Sequence, residues 1–168
     1  MANLEKYKGI IPAFYACYDE EGNVSPERVR ALTEYHIRKG VKGVYVGGSS
    51  GECIYQSVED RKITLENVMA AAKGKLTVIA HVACNNTKDS VELAKHAAEI
   101  GADGIAVVTP AFFSVRDQGL VDYFTTVAKS VPQDFPVYLY AIPQCAVNDI
   151  SPKAAEECSR LCPNIVGI

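Results

Sequence analysis

Short apolar segments alternate with amphipathic segments along the whole chain, and this alternation restricts the possible folds more than any other feature of the sequence. The apolar segments are rich in Val, Ile and Tyr and have the length of buried strands, whereas the amphipathic segments place apolar residues three or four positions apart, as helices do. The predicted strands are roughly 31 residues apart, the spacing of a βα unit, and are centred near residues 11, 45, 79, 106, 138 and 166. The sequence therefore predicts a parallel sheet covered by helices.

Signals for the start and the end of a helix flank the amphipathic segments. Ser25 can accept a hydrogen bond from a free N–H group of the first helical turn, and Pro26 suits the first helical position. Gly40 predicts the end of the same helix, and Ser151-Pro152 predicts the start of the last one. The apolar face of the first helix is expected to consist of Val29, Leu32, His36 and Ile37.

Two folds fit this pattern, and the residues alone leave both open. A doubly wound open sheet of five or six strands suits a chain of 168 residues, whereas a (β/α)8 barrel needs roughly 250. The open sheet is disfavoured by the first predicted strand, Gly9–Phe14, because no Gly-x-Gly-x-x-Gly turn follows it to bind a phosphate. The sixth predicted strand, Asn164–Ile168, is the last segment of the sequence.

Composition and charge exclude several classes of partner and leave a small molecule as the expected one. The net charge is −3 and the sequence has no Lys/Arg block, so we expect no nucleic acid and no anionic membrane as partner. No apolar run approaches the roughly 18 residues that a membrane span needs. The six cysteines include no Cys-x-x-Cys pair, so we expect no metal site, and we expect no cofactor. Free thiols and the lack of a signal peptide at the start favour a cytoplasmic protein.

The segment Gly47–Glu52, directly after the second predicted strand, is the strongest candidate for a binding site. Its glycines allow a tight turn, and consecutive N–H groups beside the hydroxyl groups of Ser49 and Ser50 can bind a carboxylate or a phosphate. It is not a Walker loop, because no Lys follows the last glycine. Such a turn can equally be a plain connection, but at the carboxyl end of a barrel strand it would lie where barrel active sites are built.

Tyr140 and His81 are the two side chains on the predicted strands that we consider for acid–base chemistry. Tyr140 ends the fifth predicted strand, where it either packs or, at the mouth of a barrel, transfers protons. His81 lies in the third predicted strand, and we expect it to be a buried structural histidine rather than a base.

The sequence contains four segments in the order Tyr45–Glu52, Val108–Pro110, Tyr138–Pro143 and Asn164–Ile168. Together they resemble the family of N-acetylneuraminate lyase and dihydrodipicolinate synthase, and the resemblance extends from near residue 9 to the end of the sequence. It implies a (β/α)8 barrel, of which residues 1–168 would be the amino-terminal part of one domain, with about the first five and a half βα units. It also implies a homotetramer and a class I aldolase, in which pyruvate forms a Schiff base with a lysine.

The resemblance also assigns roles to the candidate residues. Ser49 and Ser50 would hold the carboxylate of pyruvate, and Tyr140 would transfer protons to and from the oxygen of the other substrate. The Schiff-base lysine would be the residue immediately after Ile168, because in this family it closely follows a Val-Gly-Ile type of strand. We therefore expect the sequence to be a piece of a longer enzyme.

Two features of the sequence favour the lyase branch of this family over the synthase branch. The paired Ser49 and Ser50 favour it, and the segment Ala141–Ala146 lacks the arginine with which the synthase branch binds its second substrate. Phe112 stands where the family has a tyrosine that reaches into the neighbouring subunit's site, which puts the usual proton relay in question. We expect cleavage of N-acetylneuraminate to N-acetylmannosamine and pyruvate. The alternatives are dihydrodipicolinate synthase activity, another 2-oxo-acid aldolase, and a homologue that binds a 2-oxo acid without turnover.

Overall fold

A computed structural model describes residues 4–72 and 74–168 and confirms the predicted alternation of helices and strands. After a short 3-10 helix at Leu4–Tyr7, the elements are α1 (Pro26–Arg38), β1 (Gly43–Val46), α2 (Val58–Ala72), β2 (Thr77–His81), α3 (Thr87–Glu99), β3 (Gly104–Val108), α4 (Asp117–Lys129), β4 (Val137–Tyr140), α5 (Pro143–Ala146), α6 (Pro152–Leu161) and β5 (Ile165–Gly167).

The described chain divides into two compact units. The first unit comprises the described residues up to His81 together with Glu99–Asp103, and the second comprises Val82–Ala98 and Gly104–Ile168. Each unit contains parallel strands and the helices that cover them.

In the first unit, β1 and β2 pair in parallel, with Gly43 opposite Thr77 and Val46 opposite Ala80. Both strands are almost entirely buried, and α1 packs against α2. Because both faces of these strands are buried, their residues are apolar throughout and do not alternate between apolar and polar.

The predicted strand at Gly9–Phe14 is wrong as a strand, because only one residue of it pairs in the ladder. Ala13 bridges Tyr45 in parallel, with the Phe14 N–H donating to the Tyr45 carbonyl (2.8 Å) and the Tyr45 N–H donating to the Pro12 carbonyl (2.9 Å). Pro12 has no N–H group, so the next bond of a regular parallel ladder cannot form on this edge.

In the second unit, β3, β4 and β5 pair in parallel, and Val108 lies opposite Tyr140 at the carboxyl ends of β3 and β4. α4 packs against α6. Cys158 of α6 is fully buried, and burial raises the pKa of its thiol to about 11, so it remains protonated and serves as a core residue. The apolar face of α4 is buried at Leu120, Tyr123, Phe124, Val127 and Ala128.

The buried face of α1 differs from the predicted one. Leu32 and Ile37 are only half-buried, whereas Thr33 is fully buried and its hydroxyl group donates to the Val29 carbonyl (2.8 Å). His36 is buried as predicted, with its ring 5.9 Å from that of Phe14. A pattern based on apolar residues omits a threonine whose hydroxyl is satisfied inside its own helix.

The cap of α1 gives the first testable prediction. The Arg28 N–H donates to the Ser25 Oγ (3.3 Å), as the sequence predicts. Replacement Ser25→Ala removes this acceptor and should lower the free energy of unfolding by about 1 kcal/mol. Ser25→Asp keeps an acceptor at the same place and should change it by less than about half of that amount. Urea unfolding measures both, and equal stability of Ser25→Ala and the wild type would contradict the assignment.

Candidate active site

The segment Gly47–Glu52, called the serine turn below, follows the carboxyl end of β1 in the first unit. Gly47 has φ +72°, a left-handed conformation that favours glycine. At Gly51 a Cβ atom would lie 3.0 Å from the Gly47 Cα atom and 3.2 Å from the Phe14 carbonyl oxygen, so a side chain there would crowd the backbone. The two glycines therefore permit a tight turn that other residues would strain.

The hydrogen bonds of the serine turn leave its serine donors available. The carbonyl groups of Gly48, Ser49 and Ser50 accept from the N–H groups of Gly51 (3.0 Å), Glu52 (3.0 Å) and Ala16 (3.3 Å), respectively. Neither the N–H nor the hydroxyl group of either serine donates to another group within the described residues.

Ser49 is exposed and Ser50 half-buried. Adjacent N–H groups of this kind form a site for an anion, and two hydroxyl groups add further donors. The donors belong to the turn itself, since α2 begins only at Val58.

The serine turn is also tied to the loop after the first predicted strand. The Tyr18 hydroxyl donates to the Glu52 carboxylate (3.1 Å) and accepts from the Gln56 side chain (3.2 Å). Glu52 itself has φ +54°. No local sequence signal predicts this contact, because Tyr18 lies 34 positions from Glu52 and belongs to no motif.

His81 is a buried histidine, as predicted, and is 4% exposed at the end of β2. Its Nδ1 atom lies 2.7 Å from the Gly47 carbonyl oxygen. Burial, and to a lesser extent the positive charge of Arg61, lower its pKa to about 3. The imidazole is therefore neutral near pH 7 and cannot act as an acid there.

Tyr140 is the last residue of β4 in the second unit and is half-buried. Ser49 and Ser50 follow the carboxyl end of a strand in the first unit, so all three predicted residues lie at carboxyl ends of parallel strands. The sixth predicted strand is present as β5, and Ile168 follows it directly. None of the lysines that the structure describes follows the carboxyl end of a strand.

Phe112 lies in the loop between β3 and α4, with φ +79° and a side chain that is 79% exposed. Its ring meets that of Phe113 edge-on, with 4.8 Å between the centroids. The loop thus presents two phenyl rings and no hydroxyl group at this position.

Asn148 holds this loop in place, a role that the sequence does not predict. Its side-chain amide donates to the carbonyl groups of Pro110 (2.7 Å) and Phe113 (2.8 Å) and accepts from the Val115 N–H (2.8 Å). The side chain is 5% exposed. A single asparagine in an irregular segment gives no sequence signal for burial, because such residues usually lie in solvated turns.

A cavity of about 650 Å³ in the first unit lies away from the serine turn, at the amino ends of β1 and β2. Gly9, Lys42, Lys75 and Asp103 are among its lining residues. The Asp103 carboxylate accepts from the Val78 N–H (2.8 Å) and pairs with Lys6 (2.9 Å). These contacts of Asp103 join separate segments of the chain. Because the amino ends of barrel strands are associated with stability rather than catalysis, the cavity is not a candidate active site.

All six cysteines are free thiols. Within residues 4–72 and 74–168, no group of three or more His, Cys, Asp or Glu side chains is placed to hold a metal ion. None of the described helices is long and apolar enough to cross a membrane.

Comparison with known proteins identifies the relatives of this chain. The Dihydrodipicolinate synthetase family matches residues 6–168. The chain is 59% identical to the N-acetylneuraminate lyase of Mediterraneibacter gnavus, covering 100% of this chain and 53% of that protein. It is 35% identical to the 4-hydroxy-tetrahydrodipicolinate synthase of Brucella abortus, covering 96% of this chain and 54% of that protein. The chain thus spans about half the length of the curated relatives it matches.

Solved structures agree with these matches. The wild-type sialic acid aldolase of Ruminococcus gnavus has a TM-score of 0.93 and 58% identity, covering 97% of this chain and 54% of that one. The dihydrodipicolinate synthase of Aquifex aeolicus has a TM-score of 0.88 and 34% identity, and the match covers 94% of this chain and 53% of that one. The similarity confirms the (β/α)8 barrel class, in partial form, over the open sheet.

Asn148 gives a prediction about stability. Asn148→Ala removes three hydrogen bonds at a buried position, and we expect the free energy of unfolding to fall by about 3 kcal/mol. Asn85 is the matched control, because it is exposed and accepts one bond, from the Ala111 N–H (2.7 Å), in the same loop. Asn85→Ala should cost less than about 1 kcal/mol. Similar losses for both variants in urea unfolding would show that Asn148 does not hold the loop.

Proposed function

The chain belongs to the dihydrodipicolinate synthetase family, and we propose that it is the amino-terminal part of a class I aldolase that cleaves N-acetylneuraminate to N-acetylmannosamine and pyruvate. The observation that carries this proposal is the 59% identity to an N-acetylneuraminate lyase over the whole chain, against 35% to a 4-hydroxy-tetrahydrodipicolinate synthase. The absence of arginine from residues 141–146 also favours the lyase.

The available donors of the serine turn support binding of a 2-oxo acid. We propose that the N–H and hydroxyl groups of Ser49 and Ser50 hold the carboxylate, because a carboxylate accepts several hydrogen bonds and neither serine uses its donors elsewhere in the described chain. Fixing the carboxylate fixes the adjacent carbonyl carbon, which is the atom that a lysine must attack.

The proposed reaction proceeds through a lysine Schiff base. The lysine amine adds to the C2 carbonyl of open-chain N-acetylneuraminate, and loss of water gives an iminium ion. The C3–C4 bond then breaks, its electron pair moves into the iminium group to form an enamine, and the C4 hydroxyl loses its proton as N-acetylmannosamine forms. Protonation of the enamine at C3 and hydrolysis release pyruvate and regenerate the amine.

Tyr140 is our candidate for the proton transfer at the C4 oxygen. It ends β4, and in a barrel the carboxyl ends of all strands lie on the face that carries the active site. The proposed lysine is the residue after Ile168, just beyond the carboxyl end of β5, and would lie on the same face. One solved structure at 58% identity is that of a catalytic lysine mutant of the Ruminococcus gnavus sialic acid aldolase.

We further propose a cytoplasmic homotetramer. Six free thiols suit a reducing compartment. The exposed pair Phe112 and Phe113 supplies apolar surface of the kind found at subunit interfaces. The partner of this enzyme is a small molecule, with no role for nucleic acid or a membrane, in keeping with the net charge of −3.

Trapping with borohydride tests the proposed chemistry. The full-length protein, incubated with pyruvate and sodium borohydride, should gain one reduced pyruvate on a single lysine next to Ile168, as measured by peptide mass spectrometry. No adduct at saturating pyruvate would instead support a homologue that binds a 2-oxo acid without turnover. Coupled assays with N-acetylneuraminate and with aspartate semialdehyde then distinguish the lyase from the synthase.

Replacement Tyr140→Phe tests the proton transfer. Loss of the hydroxyl group should lower kcat for cleavage about a hundredfold or more, while the borohydride adduct still forms in part. Tyr35→Phe is the matched control, because it removes a hydroxyl group from an exposed position on α1 and should leave turnover unchanged. Unchanged turnover in Tyr140→Phe would assign Tyr140 a packing role only.

A further inference from the structure

His81, the last residue of β2, contacts the start of the serine turn. Its Nδ1 atom lies 2.7 Å from the Gly47 carbonyl oxygen. Its ring is 6.2 Å from that of Tyr45, and Tyr45 packs on Gly48, where a Cβ atom would lie 2.6 Å from the ring. Two aromatic rings, one from each strand of the first unit, therefore adjoin the first two residues of the turn.

The contacts of Nδ1 define the tautomer of His81. A carbonyl oxygen only accepts hydrogen bonds, so Nδ1 must carry the proton that Gly47 accepts. The Arg61 Nη2 atom is 3.3 Å from Nδ1, but a guanidinium group only donates and so cannot accept the proton of Nδ1. Nη2 instead donates a hydrogen bond to the His81 carbonyl oxygen at 2.7 Å. Nδ1 therefore carries a proton, and because burial lowers the pKa of the ring to about 3, His81 is the neutral Nδ1–H tautomer near pH 7.

Arg61 connects this contact to α2. It is 5% exposed, which is rare for arginine, and its hydrogen bond to the His81 carbonyl joins the first turn of α2 to the end of β2. The sequence holds a signal for this burial, because Arg61 has the same helical phase as the buried residues Leu65, Val68 and Ala72.

We propose that His81 and Arg61 are positioning residues for the carboxylate site of the serine turn. His81 holds the Gly47 carbonyl through its Nδ1–H group, and Arg61 holds His81. The Gly47 carbonyl and the Gly48 N–H belong to one planar peptide unit, so fixing the carbonyl fixes the direction in which the turn begins. The N–H groups of Ser49 and Ser50 are thereby oriented before a ligand arrives. This inference rests on the proposed function, because it takes the ligand to be the carboxylate of a 2-oxo acid.

The inference predicts which kinetic constant changes. The carboxylate is held in the same way before and during bond cleavage. A looser turn therefore weakens the binding of the substrate and the binding of the transition state by the same amount. Such a change raises KM and leaves kcat nearly unchanged. A residue that transferred a proton would instead lower kcat.

Two replacements of His81 separate the hydrogen bond from the volume of the ring. His81→Asn places an amide N–H where Nδ1 lies and can keep the bond to Gly47, whereas His81→Leu has a similar volume and no donor. In the full-length protein, His81→Leu should raise KM for N-acetylneuraminate, and the inhibition constant of pyruvate, about tenfold or more, with kcat within about threefold of the wild type. His81→Asn should restore both constants to within about threefold. Thermal melts establish that each variant is folded.

Several outcomes would overturn the inference. The inference is wrong if His81→Leu has the wild-type KM and the wild-type inhibition constant of pyruvate. It is also wrong if both constants rise equally in His81→Leu and His81→Asn. If His81→Leu does not fold, the tautomer of His81 in the wild-type protein still decides the matter. A proton on Nδ1 in ¹⁵N-histidine NMR spectra at pH 7 supports the inference, and a proton on Nε2 alone contradicts it.

A wild-type protein that forms no borohydride adduct with pyruvate would reject the proposed function instead, whereas an adduct with unchanged variant constants would reject only the positioning role.

Discussion

The paired strands of each unit run parallel, so the chain must return through a helix before each new strand begins. This constraint gives every strand a carboxyl end followed by a loop that leads to a helix, and the candidate residues lie at those ends. The serine turn follows β1, the loop with Phe112 follows β3, and Tyr140 ends β4. The amino ends instead carry contacts between backbone segments, such as those of Asp103.

In each unit, a buried polar side chain supports a loop of this kind through hydrogen bonds to its backbone. His81, held by Arg61, does so at Gly47, and Asn148 does so at the loop that contains Phe112. These hydrogen bonds offset part of the cost of burying the three side chains. The serine donors remain available because the carbonyl groups of the turn, and not its serine N–H groups, make the internal bonds. Rigid support of this kind is what a site needs in order to bind a small anion in a fixed orientation.

The sequence predicted the features that depend on local chemistry and period. The order of strands and helices from α1 onward, the cap at Ser25 and the turn at Gly47–Glu52 follow from residue types within a few positions of one another. Resemblance to a family supplied the barrel class, which the local pattern left open against an open sheet. The roles of Ser49, Ser50 and Tyr140 stay predictions.

The features that the sequence did not predict depend on contacts between distant residues or on exceptions to polarity. The segment Gly9–Phe14 has the composition of a strand, but Pro12 removes a donor from its ladder. Thr33 is buried because its hydroxyl group bonds within α1, and Asn148 is buried because three backbone groups of a loop more than thirty positions earlier in the sequence surround its amide. The contact between His81 and Gly47 joins residues 34 positions apart and has no local signal.

The central claim is that the N–H groups of Ser49 and Ser50 hold the carboxylate of a 2-oxo acid that is bound to a lysine after β5. A crystal structure of the full-length protein, trapped with pyruvate and borohydride, tests this claim most directly. We predict that the carboxylate oxygens of the adduct lie about 3 Å from the N–H groups of Ser49 and Ser50. An adduct whose carboxylate is bound by other groups, with both N–H groups directed at water, would contradict it.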